Sequence, residues 1–280
     1  MPLYRRIAAI LLLAVFCGPA NAGDGYILGL GAEGDTSDSL AFSAFGDFAL
    51  TENTWLSATA AKAEAEGAFS ELRTVYADIG LDHYFDPIGI RIGGAYWGDD
   101  DILDSVDIRG SLYVRTSAMS ISTDYERRNF DFLFDLSPLD LRRQVEFEAD
   151  GYGLNLRVAT GKRVSLFVRG MSYDYSVDLT RLQNISDLSF LSASRLSLAN
   201  SLLDHRIDAG IDIKFGLKML SLEVGDRQTA IDGGKVNSFS AGFLFPASDA
   251  SDIELRVGYD DSDIFGDTAI LSFFWFFYGI

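Results

Sequence analysis

Apolar and polar residues alternate with a period of two along most of the chain after residue 24. In the segment 204–227, Ile207 and Ile211 share one parity, whereas Asp208 and Asp212 occupy the other. Successive side chains of a β-strand point to opposite faces, so this period predicts strands with one apolar and one ionic face. Each arm of the segment approaches the roughly 9 to 11 residues that a tilted strand needs to cross a bilayer. The segment therefore predicts a hairpin of membrane-spanning strands.

Repetition of this rhythm predicts an all-β fold, a transmembrane antiparallel up-and-down barrel of about 14 strands, with 12 as the alternative. Short connections follow the even strands and longer polar ones follow the odd strands, with long loops at 129–143 and 176–203. Bacterial outer-membrane barrels alternate in this way, with short periplasmic turns and longer external loops. A secreted β-sandwich or lipocalin-like barrel would also alternate, but the paired charge and glycine on the polar face argue against it.

Two strands are ambiguous from the pattern. The alanine-rich stretch 54–64 would pass for a helix on propensity alone. In 144–158 the apolar parity changes between Phe147 and Leu154. A bulge would produce this change, and so would a strand that protrudes beyond the lipid. We favour protrusion, because Glu148 and its acidic neighbours would then stay in water.

Residues 1–22 have the three parts of a secretory signal peptide: a charged region, an apolar core and an A-x-A cleavage site. This leaves 23–280 as a single barrel domain. Cys17, the only cysteine, leaves with the signal, and Phe16 before it disfavours lipidation. The chain has 23 basic and 41 acidic residues, and the signal removes two arginines and no acid, leaving a net charge of 21 − 41 = −20. So acidic a chain should repel nucleic acid.

The final segment 273–280 is almost entirely aromatic, with Phe274, Phe276, Tyr278 and Ile280 at alternating positions. It resembles the C-terminal strand of Gram-negative outer-membrane β-barrel proteins, although such strands typically end in Phe or Trp. The resemblance implies a porin-like architecture in the outer membrane, reached through the periplasm. It also implies insertion by the barrel assembly machinery and contact with outer-membrane lipid and lipopolysaccharide.

If the apolar parity faces lipid, the ionic parity faces a lumen, and 14 strands enclose more space than side chains alone fill. The predicted pore-lining residues are Arg91, Arg109, Arg115, Asp124, Glu126, Arg157, Arg163, Arg169, Asp208, Asp212, Lys214, Glu223, Glu254 and Arg256, with Asp47, Asp78 and Asp82 on the early strands. Segregated arginines and carboxylates would resemble a porin constriction; alternatively, the charges neutralise one another and fill the barrel. We expect a passive channel for small hydrophilic solutes, cation-favouring because the chain is acidic, and without a cofactor. The alternative is a non-conducting surface-display barrel whose long loops bind a partner.

Two acidic clusters fall on predicted external loops, and their members are Asp99, Asp100, Asp101, Asp260, Asp261 and Asp263. They are weak candidates for Ca²⁺ or Mg²⁺, but they lack the ligand spacing of a calcium loop, and solvated loops are the alternative. His83 is expected at a membrane interface. His205 with Asp208 would supply an acid–base pair for an outer-membrane hydrolase, a remote alternative to a non-enzymatic barrel.

Overall fold

A computed structural model describes residues 25–66, 71–99, 103–136, 141–179, 202–263 and 266–279. These residues form a closed barrel of 14 strands, in which each strand pairs antiparallel with its neighbours in sequence and β1 pairs with β14. The predicted fold and strand number are thereby confirmed, and the predicted signal peptide lies outside the described residues. The strands are β1 (Tyr26–Asp35), β2 (Ser39–Thr51), β3 (Thr54–Glu66), β4 (Glu71–Tyr84), β5 (Ile88–Asp99), β6 (Leu103–Arg115), β7 (Met119–Leu136), β8 (Leu141–Ala159), β9 (Val164–Tyr175), β10 (Leu203–Phe215), β11 (Lys218–Thr229), β12 (Lys235–Ser248), β13 (Ser251–Ser262) and β14 (Thr268–Gly279).

The hairpin of β10 and β11 has the predicted alternation and a two-residue turn. Phe215 and Lys218 form its last pair, and Gly216 takes a φ of 67°, which costs glycine little because it has no Cβ. Alanine-rich β3 is also a strand, paired on both sides with β2 and β4. Pairing within the sheet thus overrides its helical propensity.

The barrel has two distinct ends. The start of β1, the end of β14 and the short turns after the even strands lie at one end, called here the turn end. Connections after the odd strands lie at the opposite, loop end. Among the described residues, no helix is long and apolar enough to cross a membrane.

Large apolar side chains cover the outer face of the barrel over most of its height. Leu30, Ile92, Ile108 and Leu271 are more than half exposed, although each lies in the middle of a paired strand. Such a band would be unstable in water and suits contact with lipid chains. The opposite parity of each strand faces the interior.

Strands β7 and β8 are the longest, with 18 and 19 residues against 10 to 14 for the others. They pair without interruption up to Leu136 and Leu141, so the predicted loop at 129–143 is wrong except for 137–140, which lie outside the described residues. Eighteen residues extend roughly 60 Å, whereas the apolar band of such barrels is about 25 Å tall. The hairpin therefore protrudes at the loop end, as the apolar pattern of β8 suggested.

Side chains at the loop end of the interior form an apolar core, called here the cap. The cap consists of Trp97, Leu103, Phe130, Phe132, Phe147, Ala149, Leu179, Leu202 and Ile231. The rings of Phe130 and Phe147 stack with centroids 4.8 Å apart. Leu179 and Leu202 belong to the predicted loop 176–203, of which 180–201 lie outside the described residues. The cap lies at the loop end of the interior, on the side of the barrel formed by β5 to β11.

Candidate functional site

Below the cap the barrel is hollow. Two cavities of about 800 Å³ each share part of their lining, including Arg91, Asp124 and Arg169. Together they reach from Lys214 near the turn end to Tyr173 under the cap. A polar space thus runs along the axis over the membrane-spanning part of the barrel.

One wall of this space is built by β4, β5 and β6. Arg91 donates two hydrogen bonds to Asp82, at 2.8 and 3.1 Å, and the Tyr113 hydroxyl donates a third at 2.6 Å. Arg109 pairs with Asp78 across the strand between them. Each arginine on this wall that faces a carboxylate is therefore held in place, which limits how far its head can move.

The opposite wall is centred on Asp208, whose side chain has no exposed surface. Arg169 and Arg206 each donate to it, at 2.9 and 2.8 Å, and Arg227 lies 3.9 Å away. A Cβ at the paired Gly225 would come within 2.6 Å of an Asp208 oxygen, so glycine there leaves room for the carboxylate. The buried charge is stable because several guanidinium groups surround it.

The ion pairs of this wall continue along β10 to β13. Arg169 also donates to Glu223 at 2.8 Å, and Arg256 lies 2.8 Å from Glu254 and 3.9 Å from Glu223. Nearer the turn end, Arg157 pairs with Asp212, which also accepts a hydrogen bond from Ser221 at 2.8 Å. Together these contacts involve five strands of the barrel, β8 to β11 and β13.

A buried polar layer separates the hollow space from the cap. Arg128 lies 3.2 Å from Glu126 and 3.9 Å from Asp107, and all three side chains are buried. The Tyr173 hydroxyl accepts from Arg128 at 3.0 Å and donates to Glu126 at 2.9 Å. The charges of the layer thus lie within ion-pairing distance of one another beneath an apolar core.

Two cations near the turn end are not part of these pairs. Among the described residues, no carboxylate lies within ion-pairing distance of Arg115 or Lys214, and both are exposed in the cavity. The Arg115 guanidinium lies 5.2 Å from the centre of the Tyr113 ring and 5.9 Å from that of Tyr84. The two rings, stacked 6.2 Å apart, position this arginine.

Comparison with known proteins identifies the fold. No family model matches the sequence, and no curated protein matches it. Among solved structures, it is similar to a monoaromatic hydrocarbon channel, CymD, with a TM-score of 0.58 and 11% identity, covering 95% of this chain and 92% of that one. It is also similar to a FadL homologue from Pseudomonas aeruginosa, with a TM-score of 0.54 and 8% identity over 90% and 89% of the two chains. The NanC porin gives a TM-score of 0.50 and 9% identity over 89% and 98%.

The chain has the fold of an outer-membrane β-barrel channel. The exposed apolar band on its outer face suits that membrane. At the loop-end edge of the band, the rings of Tyr125 and Tyr152 lie 5.5 Å apart, and Arg127 pairs with Glu148 just beyond them. Aromatic girdles of this kind flank the apolar band of bacterial barrels.

Most of the predicted pore-lining residues meet in the interior of this outer-membrane barrel. Those that line the cavities are Arg91, Arg109, Arg115, Asp124, Glu126, Arg157, Arg169, Asp212, Lys214, Glu223, Glu254 and Arg256. Asp208 lies behind its arginines in the wall, and Arg163 lies in the turn before β9. The arginines are interleaved with carboxylates of nearby strands, so the segregated arrangement expected from the sequence is absent among the described residues.

Sequence reasoning missed three polar residues of the interior. Arg128 was assigned to the edge of a loop, although it continues the inward parity of Asp124 and Glu126 on β7. Arg206 shows the same parity as Asp208 and could have been found from it. Tyr173 gave no signal in the sequence, because its role depends on the contact with Arg128 and Glu126.

The acidic clusters do not converge on a metal. Within the described part of the chain, no group of three or more potential ligands is arranged to hold a metal ion. Asp260 and Asp261 lie in β13 and not on a loop, and they point to opposite faces because they are consecutive strand residues. Asp263 accepts a hydrogen bond from the Lys235 backbone at 2.8 Å. Asp99 ends β5, while 100 and 101 lie outside the described residues.

The two histidines occupy the outer face near opposite ends of the barrel. His83 contacts the Phe85 ring at 4.2 Å and Thr54 at 2.7 Å near the turn end. His205 lies between Asp204 and Asp226, at 2.9 and 3.3 Å. Its suggested partner Asp208 points to the interior, so the proposed acid–base pair does not form.

The C-terminal aromatic residues divide between the two faces. Phe274 and Phe276 point inward, where Phe276 packs against Phe45 with ring centroids 5.5 Å apart. Trp275 and Phe277 point outward and contact each other at 4.6 Å. Phe274 and Phe276, two of the alternating aromatic positions, therefore fill part of the lumen, while Ile280 lies outside the described residues.

Proposed function

We propose that this barrel is a channel for passive diffusion of small hydrophilic solutes. The observation that carries the proposal is the hollow, charged interior, which extends from Lys214 near the turn end to the polar layer around Arg128. A barrel of about 8 strands is filled by its own side chains, whereas 14 strands leave a lumen. Fold-level likeness to the monoaromatic hydrocarbon channel CymD and to the NanC porin supports the same class of function.

The cap makes this a gated channel. Phe130 and Phe147 belong to the buried apolar core at the loop end, and we propose that a solute reaches the polar space when this core is displaced. Apolar constrictions close pores by excluding water. The net charge of the chain alone favours cations, whereas the side chains of the interior favour a different selectivity.

Single-channel conductance of the refolded protein in a planar bilayer tests the proposal. We expect discrete current steps, a changed step size in Arg169→Gln, and more frequent openings in Phe130→Ala. Arg127→Gln, which removes one charge from the outer face, is the matched control and should leave the step size unchanged. A heat-modifiable protein that inserts and stays silent, even as Phe130→Ala, would overturn the channel.

The cap specifically favours one other candidate, a non-conducting barrel that displays its loops to a partner. Such a barrel would stay silent in the bilayer while its loop-end surface bound that partner.

We further propose that residues 1–22 are removed on export, that the barrel assembly machinery inserts the chain, and that lipopolysaccharide contacts its outer face. N-terminal sequencing of the protein from outer membranes tests the cleavage site.

A further inference from the structure

Ion pairs that line the hollow part of the interior expose their arginine far more than their carboxylate, unlike the fully buried pair of Arg128 and Glu126. The exposed fractions of the two side chains are 55% and 23% for Arg91 and Asp82, 51% and 10% for Arg157 and Asp212, and 41% and 0% for Arg169 and Asp208. On the outer face the difference is smaller or reversed, since Arg127 is 42% exposed against 49% for Glu148, and Arg73 is 61% exposed against 41% for Glu64. The asymmetry therefore belongs to the lumen.

The lengths of the side chains explain this asymmetry. Aspartate is short and stays against the strand wall, where Asp212 accepts from Ser221 and Asp208 fits over Gly225. Arginine is long, and its head lies over the carboxylate on the side facing the cavity. A solute in the lumen meets guanidinium N–H groups before it meets carboxylate oxygens. A guanidinium group also has five N–H donors in a fixed plane, and two of them can donate to two oxygens of the same oxyanion.

One of the two cavities reaches Lys214 and is called here the turn-end cavity. The charged side chains that line it are also predominantly cationic. Its lining includes six cationic side chains, Arg91, Arg115, Arg157, Arg169, Lys214 and Arg256, against four carboxylates, a balance of +2. Two of the six, Arg115 and Lys214, have no ion-pair partner among the described residues. These two charges are available to a solute without breaking an ion pair in the wall.

We infer that the turn-end cavity is a binding site for small oxyanions such as carboxylates and phosphates, which makes the channel anion-favouring. The inference rests on the proposed channel for its transport aspect, although oxyanion binding itself needs no conduction. Net charge gives the opposite expectation because it counts acids on the exterior and acids buried behind arginines. Local exposure decides what a solute contacts in a narrow lumen.

Two measurements on the refolded full-length barrel test the inference. The first is the reversal potential in a potassium chloride gradient across a planar bilayer. The second is binding of citrate or inorganic phosphate by calorimetry in detergent. The test variant is Arg115→Gln with Lys214→Gln, which leaves no carboxylate unpaired. The control is Lys218→Gln with Lys235→Gln, the same charge change on the outer face. Heat-modifiable migration confirms that each variant folds.

We expect chloride to be favoured over potassium and this preference to fall by about two-fold or more in the test variant. Citrate or phosphate binding should weaken about three- to ten-fold. The control should change neither quantity. If citrate and phosphate bind equally well, the site recognises oxyanions in general. If only citrate binds, the site recognises carboxylates. Both outcomes support the site.

Failure of this inference can be distinguished from failure of the proposed channel. A conducting barrel that favours potassium and binds neither probe would overturn the oxyanion site and leave the channel. A silent barrel whose binding of either probe is lost in the test variant would overturn the channel and support the site. Equal weakening in the test and control variants would also overturn the site, because the effect would then be one of overall charge.

Discussion

In the hairpin of β7 and β8, the apolar residues face inward in the half at the loop end and outward in the half toward the turn end. At the loop end, Phe130 and Phe147 point inward while Arg127 and Glu148 point outward. Toward the turn end of the same hairpin, the inward positions include Asp124, which lines the cavity, and the outward positions are mostly apolar. Pairing between the strands continues without a register shift through both halves.

The difference shows that solvent, and not strand geometry, decides which face is apolar. Side chains keep their parity along the hairpin, so only their surroundings change. Beside lipid, the outer face must be apolar and the polar groups turn inward. Beyond the lipid, water surrounds the hairpin and the hydrophobic effect fills the interior, as in a soluble protein. The cap is thus the core of a soluble-type extension on a membrane barrel.

The largest expected effect comes from removing a cap side chain. Phe130→Ala should lower the free energy of unfolding by about 3 to 5 kcal/mol, because it leaves a cavity in a closely packed core. Ser120→Ala is the control, because Ser120 faces the wet cavity near the turn end of the same strand. Urea unfolding in detergent measures both variants. Equal small losses would show that the cap is not a packed core.

Below the cap, ion pairs and not apolar packing stabilise the interior wall of the barrel. Asp208→Ala removes the shared acceptor of Arg169 and Arg206 and should cost about 3 kcal/mol. Asp226→Ala, on the exposed outer face of β11, is the control and should cost much less. The same unfolding measurement compares them. A loss at Asp208 no larger than that at Asp226 would contradict a structural role for the buried carboxylate.

Placing the same charge at two heights on β8 probes the lipid boundary directly. Leu154→Arg puts a cation on the lipid-facing band and should cost about 2 to 4 kcal/mol. Glu146→Arg, eight residues away on the same outward face, should change stability by less than about 0.5 kcal/mol because it stays in water. Refolding into lipid vesicles followed by denaturant titration measures both. Similar costs at the two positions would mean that the hairpin does not protrude.

The sequence alone predicted the barrel, the strand number and the lumen-facing parity. It could do so because alternation is a local pattern and a barrel repeats it in every strand. The extent of β7 and β8 was not predictable in the same way, because the apolar residues move from the outward parity at Leu154 to the inward parity at Phe147, which looks like a break in the strand. Only the continuous pairing with β7 shows that no break occurs.

Within the candidate site, parity predicted which residues face inward but not which pairs form. Asp208 is one residue in a row of ionic positions, and only the register with β9 and β11 brings Arg169 and Arg227 to it. Relative exposure within each pair depends on side-chain reach, which no sequence pattern records. For that reason, net charge suggested a cation preference while the structure supports the opposite proposal.

The smallest of these effects concerns the polar layer between the two halves. Tyr173→Phe removes the hydroxyl that joins Arg128 to Glu126 and should cost about 1 to 2 kcal/mol, because both partners are buried and water cannot replace it easily. Tyr125→Phe removes a comparable hydroxyl bond to Asp150 on the wet outer face and should cost less. Urea unfolding of the two variants makes the comparison. Equal losses would imply that water reaches the layer and that the dry interior begins only at the cap itself.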